Sequence, residues 1–200
     1  DVVLVSIEPP RLEALRRTIL EETPDATVAT DVTTVPWVGQ CDLIVTATSA
    51  FGQRVLDVSQ CKPGAVILDV ALPPDISAEE AELRPDVLVV ESGEVLIPGP
   101  VNFSFNIGLP QGVAYACLAE AALLAMEERF ECFTLGRDVH PDRVKEIYRL
   151  FRKHDFQIAP LRTFGQLLTD ELVAEKRTRA DELLRDPARL ARVKAEAGEK

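Results

Sequence analysis

A thiol placed just behind a loop rich in turn residues is the most chemically suggestive arrangement in this chain. Residues 99–138 open with Gly-Pro-Val-Asn-Phe-Ser-Phe-Asn-Ile-Gly-Leu-Pro. An Ala-rich helical stretch from Gln111 to Arg129 follows and carries Cys117, and then comes Cys132-Phe-Thr-Leu-Gly-Arg-Asp. Loops at the edge of a rigid scaffold concentrate ligand contacts, and a cysteine behind one is a candidate nucleophile for covalent chemistry. A cysteine in an Ala-rich helix also packs well as a small apolar side chain. The reading places Cys117 about two turns into its helix, where little of the helix dipole reaches it. Glu120 shares its face and could orient a proton or be solvated. Cys132 is the competing thiol, whereas Cys41 at a strand start and Cys61 beside Lys62-Pro63-Gly64 read as structural.

A second group of candidates follows from the strands. In a doubly wound sheet, ligands sit outside the carboxyl ends of the strands. The segments there are Ser6-Ile7-Glu8, Thr46-Ala47-Thr48-Ser49, Ala71-Leu72-Pro73-Pro74 and Ser92-Gly93. Ser6, Glu8, Arg11, Thr46, Thr48, Ser49, Leu72 and Gly93 are therefore the candidate cofactor-binding residues. Hydroxyls after a buried strand bond a ribose or a phosphate, and they also serve as ordinary turn residues. Glu8 could bind a ribose 2′-hydroxyl, Arg11 could meet a 2′-phosphate, or Glu8 could simply be exposed beside Pro9. No two glycines have the G-x-G-x-x-G spacing that cradles a pyrophosphate.

The elements that must position these groups are legible as patterns. Val2 to Val5, Thr27 to Thr30, Leu43 to Ala47, Val66 to Val70 and Val87 to Val90 are short aliphatic runs. A helix opens at Pro9-Pro10, where proline fits the first turn, with Leu12, Leu15, Ile19 and Leu20 on one face. Smaller pieces are expected at Val32 to Val38 and Gly52 to Val58. Ser77 followed by Glu80 is a capping box for a helix to Leu83. Strands apolar on both faces that alternate with helices imply a parallel sheet covered on both sides. After Glu91 the pattern turns helical, at about 111–130 and 141–154. Residues 166–200 then carry eight acidic and eight basic side chains among leucines, an amphipathic tail broken near Pro187.

Composition narrows the classes. A net charge of −11 argues against nucleic acid as a partner. No apolar run approaches the roughly 18 residues that span a bilayer. The four cysteines lack CxxC or zinc-ligand spacing, so reduced thiols, a cytoplasmic setting and no metal are expected. Asp1 runs directly into strand residues without an initiator Met, as in a piece of a longer chain. The helix over 142–153 opposes Val144, Ile147, Tyr148 and Phe151 with Arg143, Lys145, Arg149, Arg152 and Lys153. That basic side is either a solvated face or a dock for an acidic partner, and the tail could pair subunits of a homo-oligomer.

The run Cys41-Asp-Leu-Ile-Val-Thr-Ala-Thr-Ser-Ala with Ile67-Leu-Asp-Val-Ala-Leu-Pro-Pro-Asp-Ile-Ser resembles the nucleotide-binding domains of glutamyl-tRNA reductase and shikimate dehydrogenase. Gly93-Glu-Val, Val101-Asn-Phe, Asn106-Ile-Gly, Ala116-Cys-Leu-Ala-Glu-Ala, Leu123-Leu, Phe133-Thr-Leu-Gly-Arg and His154-Asp-Phe resemble the C-terminal half of cyanobacterial-type long-chain acyl-[acyl-carrier-protein] reductase. The likeness covers roughly residues 1–160. It implies an NAD(P)H-dependent enzyme that reduces a fatty acyl thioester to an aldehyde, with Cys117 as the acyl-accepting nucleophile. It further implies NADP(H) as cofactor, NAD(H) being the other choice, and acyl-carrier protein or acyl-CoA as partner. The fold expected is α/β: a Rossmann-like doubly wound parallel sheet lacking its first strand and glycine turn, then an α-helical C-terminal region. The expected domains are 1–108, 109–160 with the cysteine, and a charged tail at 161–200. The rival readings are a dehydrogenase-like oxidoreductase without covalent catalysis and a nucleotide-binding module without chemistry.

Overall fold

The computed structural model describes residues 1–50, 53–136 and 139–198. The Gly52 start of one expected piece, the Arg137-Asp138 end of the run from Cys132 and the last two residues of the charged tail lie outside these residues.

The chain begins with β1 (Val2–Val5), α1 (Pro9–Glu22) and β2 (Val28–Asp31), and β1 pairs with β2 in parallel. Proline occupies the first turn of α1, and Leu12 is its buried residue. Residues 32–40 form turns rather than the amphipathic piece expected there. Asp31 draws that segment in, because its carboxylate accepts from the Val32 and Thr33 amides and from Trp37 Nε1 at 2.8 Å.

Next come β3 (Leu43–Thr46), a short 3-10 turn at Val58–Gln60, β4 (Val66–Asp69), α2 (Ala78–Glu82) and β5 (Leu88–Glu91). Strands β3, β4 and β5 are parallel neighbours with Ile44, Ile67 and Val89 in register. That row feeds a core containing Val38, Leu56, Val58, Cys61, Ile76 and Val87. The capping box of α2 forms as expected, with Ser77 and Glu80 bonding each other's backbone amides.

A separate compact unit spans Ser92–Leu161. It contains β6 (Glu94–Leu96), β7 (Val113–Tyr115), α3 (Ala116–Met126), α4 (Pro141–Lys153) and β8 (Gln157–Ile158). Its three strands pair antiparallel in the order β7-β6-β8. The helix expected from residue 111 is thus preceded by a strand. Val113 and Ala114 bury their side chains against β6, and the helical ladder starts only at Ala116. Val95, Ala119, Leu123 and Phe156 form its core.

Residues 162–200 rejoin the first unit, made of Asp1–Glu91 and Arg162–Lys200. They form β9 (Arg162–Thr163), β10 (Gln166–Leu167), α5 (Asp170–Arg185) and α6 (Pro187–Gly198). Strand β9 extends the sheet antiparallel to β5, giving the order β10-β9-β5-β4-β3. The break at Pro187 falls where the sequence places it. Ala180 and Leu183 of α5 and Ala197 of α6 are buried. Gly64 permits the approach of α5: its φ is +78°, and a Cβ there would meet Ala180 Cβ at 3.2 Å. The Lys176 amine donates to the Val87 and Pro85 carbonyls, and Lys194 donates to Gln60 O at 2.9 Å. Burial holds both lysines below the usual lysine range. The architecture is mixed α/β with a parallel sheet and C-terminal helices, Rossmann-like in outline.

Candidate functional site

The carboxyl ends of β3 and β4 open into a cleft of about 270 Å³. Thr48, Ser49, Gln53 and Arg54 line one side, and Pro73, Pro74, Asp75, Ser77 and Glu80 line the other. Beneath it, Asp69 at the end of β4 is buried and fully bonded. Its Oδ1 accepts from Thr46 Oγ1 at 3.0 Å and from the Ala71 amide at 3.1 Å, and its Oδ2 accepts from the Ile76 amide at 3.0 Å. One carboxylate thereby ties β3 to both ends of the 70–76 loop, whose Leu72–Pro73 peptide is cis. A buried carboxylate left without these donors would be costly, so the loop is held where Asp69 needs it.

Two polar bridges cross the cleft. Thr48 donates twice to Asp75, from its amide at 2.9 Å and its hydroxyl at 2.5 Å. Arg54 Nε donates to Glu80 at 3.0 Å, with Nη1 3.9 Å from Asp57. Partial burial pushes the Glu80 carboxyl up, but the Ser77 amide, the Arg54 guanidinium and the Ser77 hydroxyl outweigh it and hold it below the usual range. The cleft therefore sets two carboxylates and one guanidinium among hydroxyls.

The candidates read from the sequence are distributed unevenly. Thr48 and Ser49 line the cleft, whereas Thr46 lies beneath it against Asp69. Leu72 is exposed on the 70–76 loop. At the end of β1, the Ser6 hydroxyl accepts from the Glu8 amide at 3.2 Å, and Glu8 lies 3.7 Å from Arg11. Gly93 and Cys117 belong to the 92–161 unit, where the Gly93 carbonyl accepts from the Ala116 amide at 2.7 Å. Cys117 is exposed in the first turn of α3, not two turns in, because the helix starts at Ala116. Glu120 accepts from the Thr134 hydroxyl. His140 caps α4, and Glu127 gathers Lys153 and His154, whose bonds hold its carboxyl below the usual range. Sequence reasoning missed Arg54 and Asp75. Asp75 had a usable signal, since it follows Pro73-Pro74 at a strand end. Ser77 and Glu80 were visible only as a helix cap.

The thiols differ in reactivity. Cys61 is fully buried, and burial pushes its thiol up to about 11 despite the nearby Arg84 and Lys194 cations. Cys117 and Cys132 are exposed. Iodoacetamide at pH 8, read by peptide mapping, is expected to label Cys117 and Cys132 within minutes and leave Cys61 unlabelled in the native chain. Labelling of Cys61 at the same rate would show that its packing is wrong.

The parallel sheet, with a small, mixed-charge cleft at its strand ends, places the chain among Rossmann-like α/β folds. Among curated proteins the chain is similar to aminotransferase PigE of Serratia sp. (strain ATCC 39006), 39% identical over 137 residues. The match covers 67% of this chain but only 16% of that relative. No family model matches. This likeness corrects the functional reading of the sequence. The relative is named an aminotransferase, so an acyl-[acyl-carrier-protein] reductase that makes aldehydes from acyl thioesters does not stand. The dehydrogenase and nucleotide-module readings do not fit that name either, and NADP(H) or NAD(H) falls with them. The misleading motifs were those around Cys117, in the 92–161 unit, and a shared motif or fold does not fix its chemistry. No helix among the described residues is long and apolar enough to cross a membrane.

Proposed function

We propose that this chain is the substrate-seating α/β part of a transaminating protein, and that the β3–β4 cleft receives the amino compound or its oxo counterpart. The observation that carries this reading is the mixed charge of the cleft. Asp75 and Glu80 suit an ammonium group, while Arg54 and the Thr48 and Ser49 hydroxyls suit a carboxylate. A volume of about 270 Å³ suits an amino-acid-sized compound, being just below the roughly 300–1,000 Å³ typical of pockets for larger ligands. The likeness to an aminotransferase supports the same chemistry.

Transamination uses pyridoxal phosphate, which supplies an electron sink and is held through a lysine Schiff base. The described lysines do not fit that group. Lys62 pairs with Asp42 and Lys153 with Glu127, Lys145 lies 4.0 Å from Asp142, and Lys176 and Lys194 donate to backbone carbonyls. None of them lines the cleft. The role assigned to these residues is therefore binding and orientation. Thr48 fixes the Asp75 carboxylate for a substrate ammonium, and the Glu80 bond holds Arg54 at the cleft edge for a substrate carboxylate.

Steady-state transamination by the whole gene product tests this. Arg54→Gln and Thr48→Val are each expected to raise the KM for the amino donor by about 10- to 100-fold, the loss of one bond to a charged group, with kcat nearly unchanged. Unchanged KM in both variants, or no transamination by the whole product, would overturn the reading.

A further inference from the structure

We infer, resting on the transaminating reading above, that the compound seated in the β3–β4 cleft is a diamino acid: one carboxylate and two ammonium groups. The charges lining the cleft, among the described residues, are those of Asp75, Glu80 and Arg54. Two carboxylates against one guanidinium leave the lining with a negative charge in excess. Asp75 and Glu80 are both half-buried, so water screens them only in part and an unmatched charge there is costly.

The bonds within the cleft locate that excess. Arg54 Nε donates to Glu80 Oε1 at 3.0 Å, and Nη1 lies 3.9 Å from Asp57. Glu80 thus has its cation. Asp75 has none among the described residues: its carboxylate accepts from the Thr48 amide and hydroxyl, both neutral donors. An ionised carboxyl group offers about four acceptor positions. Asp75 uses two of them. Glu80 uses three, for Arg54, the Ser77 amide and the Ser77 hydroxyl. Room for an ammonium therefore remains on both acids, more of it on Asp75. Arg54 keeps N–H groups beyond the one given to Glu80.

The classes of amino compound rank clearly against these groups. A monoamino monocarboxylic acid is neutral overall and leaves the excess in place. An amino dicarboxylic acid adds to it and brings two carboxylates to a single guanidinium. A diamine has nothing for Arg54. A diamino acid carries a net positive charge that cancels the excess, since a side-chain amine is protonated at neutral pH. Its carboxylate meets Arg54, one ammonium meets Asp75 and the other meets Glu80. Asp75 is then the specificity-determining residue, because it is the acid that no described cation of the chain matches.

Steady-state transamination by the whole gene product, with donors that differ by one amine, tests this. L-Ornithine is paired with L-norvaline, and L-lysine with L-norleucine. In at least one pair the diamino acid is expected to have the higher kcat/KM by about 10- to 100-fold, the effect of one added bond between charged groups. Asp75→Asn keeps the size of the side chain and should bring that ratio to within about 3-fold of unity. Because the ratio compares two donors on one protein, any loss of folded variant cancels. Equal kcat/KM within both pairs would overturn the diamino acid while leaving transamination intact. A preference that survives Asp75→Asn would overturn its assignment to this cleft. No transamination of any donor, glutamate and alanine included, would overturn the underlying reading and this substrate class with it.

Discussion

Asp86→Ala is expected to lower the stability of the first unit by about 3–5 kcal/mol, followed by urea unfolding through Trp37 emission. Trp37 is the sole tryptophan and lies in that unit. Asp86 and Arg84 are both fully buried, and the guanidinium meets the carboxylate twice, Nε to Oδ1 at 2.9 Å and Nη2 to Oδ2 at 2.7 Å. Removing the acid leaves a buried cation without its counter-charge, which water cannot reach to solvate. Arg84 Nη1 also donates to Ser59 O at 2.6 Å and Cys61 O at 2.9 Å, carbonyls on either side of Gln60 in the segment that α6 packs against. Replacing the pair together, as Arg84→Met with Asp86→Leu, should therefore recover part of the loss but not all. Those two carbonyls would remain buried without a donor, at about 1–3 kcal/mol each. An Asp86→Ala variant within 1 kcal/mol of the parent would show that the pair is solvated.

In the 92–161 unit, the largest single effect falls on Leu123. Its side chain is 1% exposed and packs with Val95, Ala119 and Phe156. Leu123→Ala should cost about 2–5 kcal/mol from lost burial and the cavity left behind. That is a large share of the roughly 5–15 kcal/mol that stabilises a typical domain. Tyr115 and Tyr148 are the two tyrosines of the chain and both lie in this unit, so tyrosine absorbance reports its unfolding. A tyrosine transition that Leu123→Ala does not move would mean that α3 is held by something other than this core.

The strands of the parallel sheet were legible because each is a compact aliphatic run. Val2–Val5 matches the reading residue for residue, and Leu43, Val66 and Leu88 open strands within a residue of where their patterns place them. Pro9, the Ser77 capping box and Pro187 marked helix boundaries for stereochemical reasons that survive in any context. The antiparallel β6-β7-β8 sheet was not legible. Its strands have two or three residues, too few for a period of two to register, and Val113–Tyr115 abuts an Ala-rich helix that absorbed it. The cleft was half legible. Thr48 and Ser49 followed from the strand-end rule, but Arg54 reaches the site through Glu80, a partner 26 residues away that no local pattern announces. The chemistry was least legible, because Cys117 and its neighbours read as a family signature while the similar curated protein is named for a different reaction.

The first unit is discontinuous in sequence: residues 1–91 are completed only by residues 162–200. On the ribosome this order has a cost in time. At about 5–20 residues per second, several seconds separate the emergence of β5 from that of β9 and α5. Through that interval the surface destined for Ala180 and Leu183 is bare, and the carbonyls of Pro85, Val87 and Gln60 await their lysines. The 92–161 stretch, a compact unit with its own core of Val95, Ala119, Leu123 and Phe156, emerges in that interval. Nascent chains arrested between residues 100 and 160 should therefore be the species most prone to chaperone capture and proteolysis, and emergence of residues 162–200 should end that vulnerability.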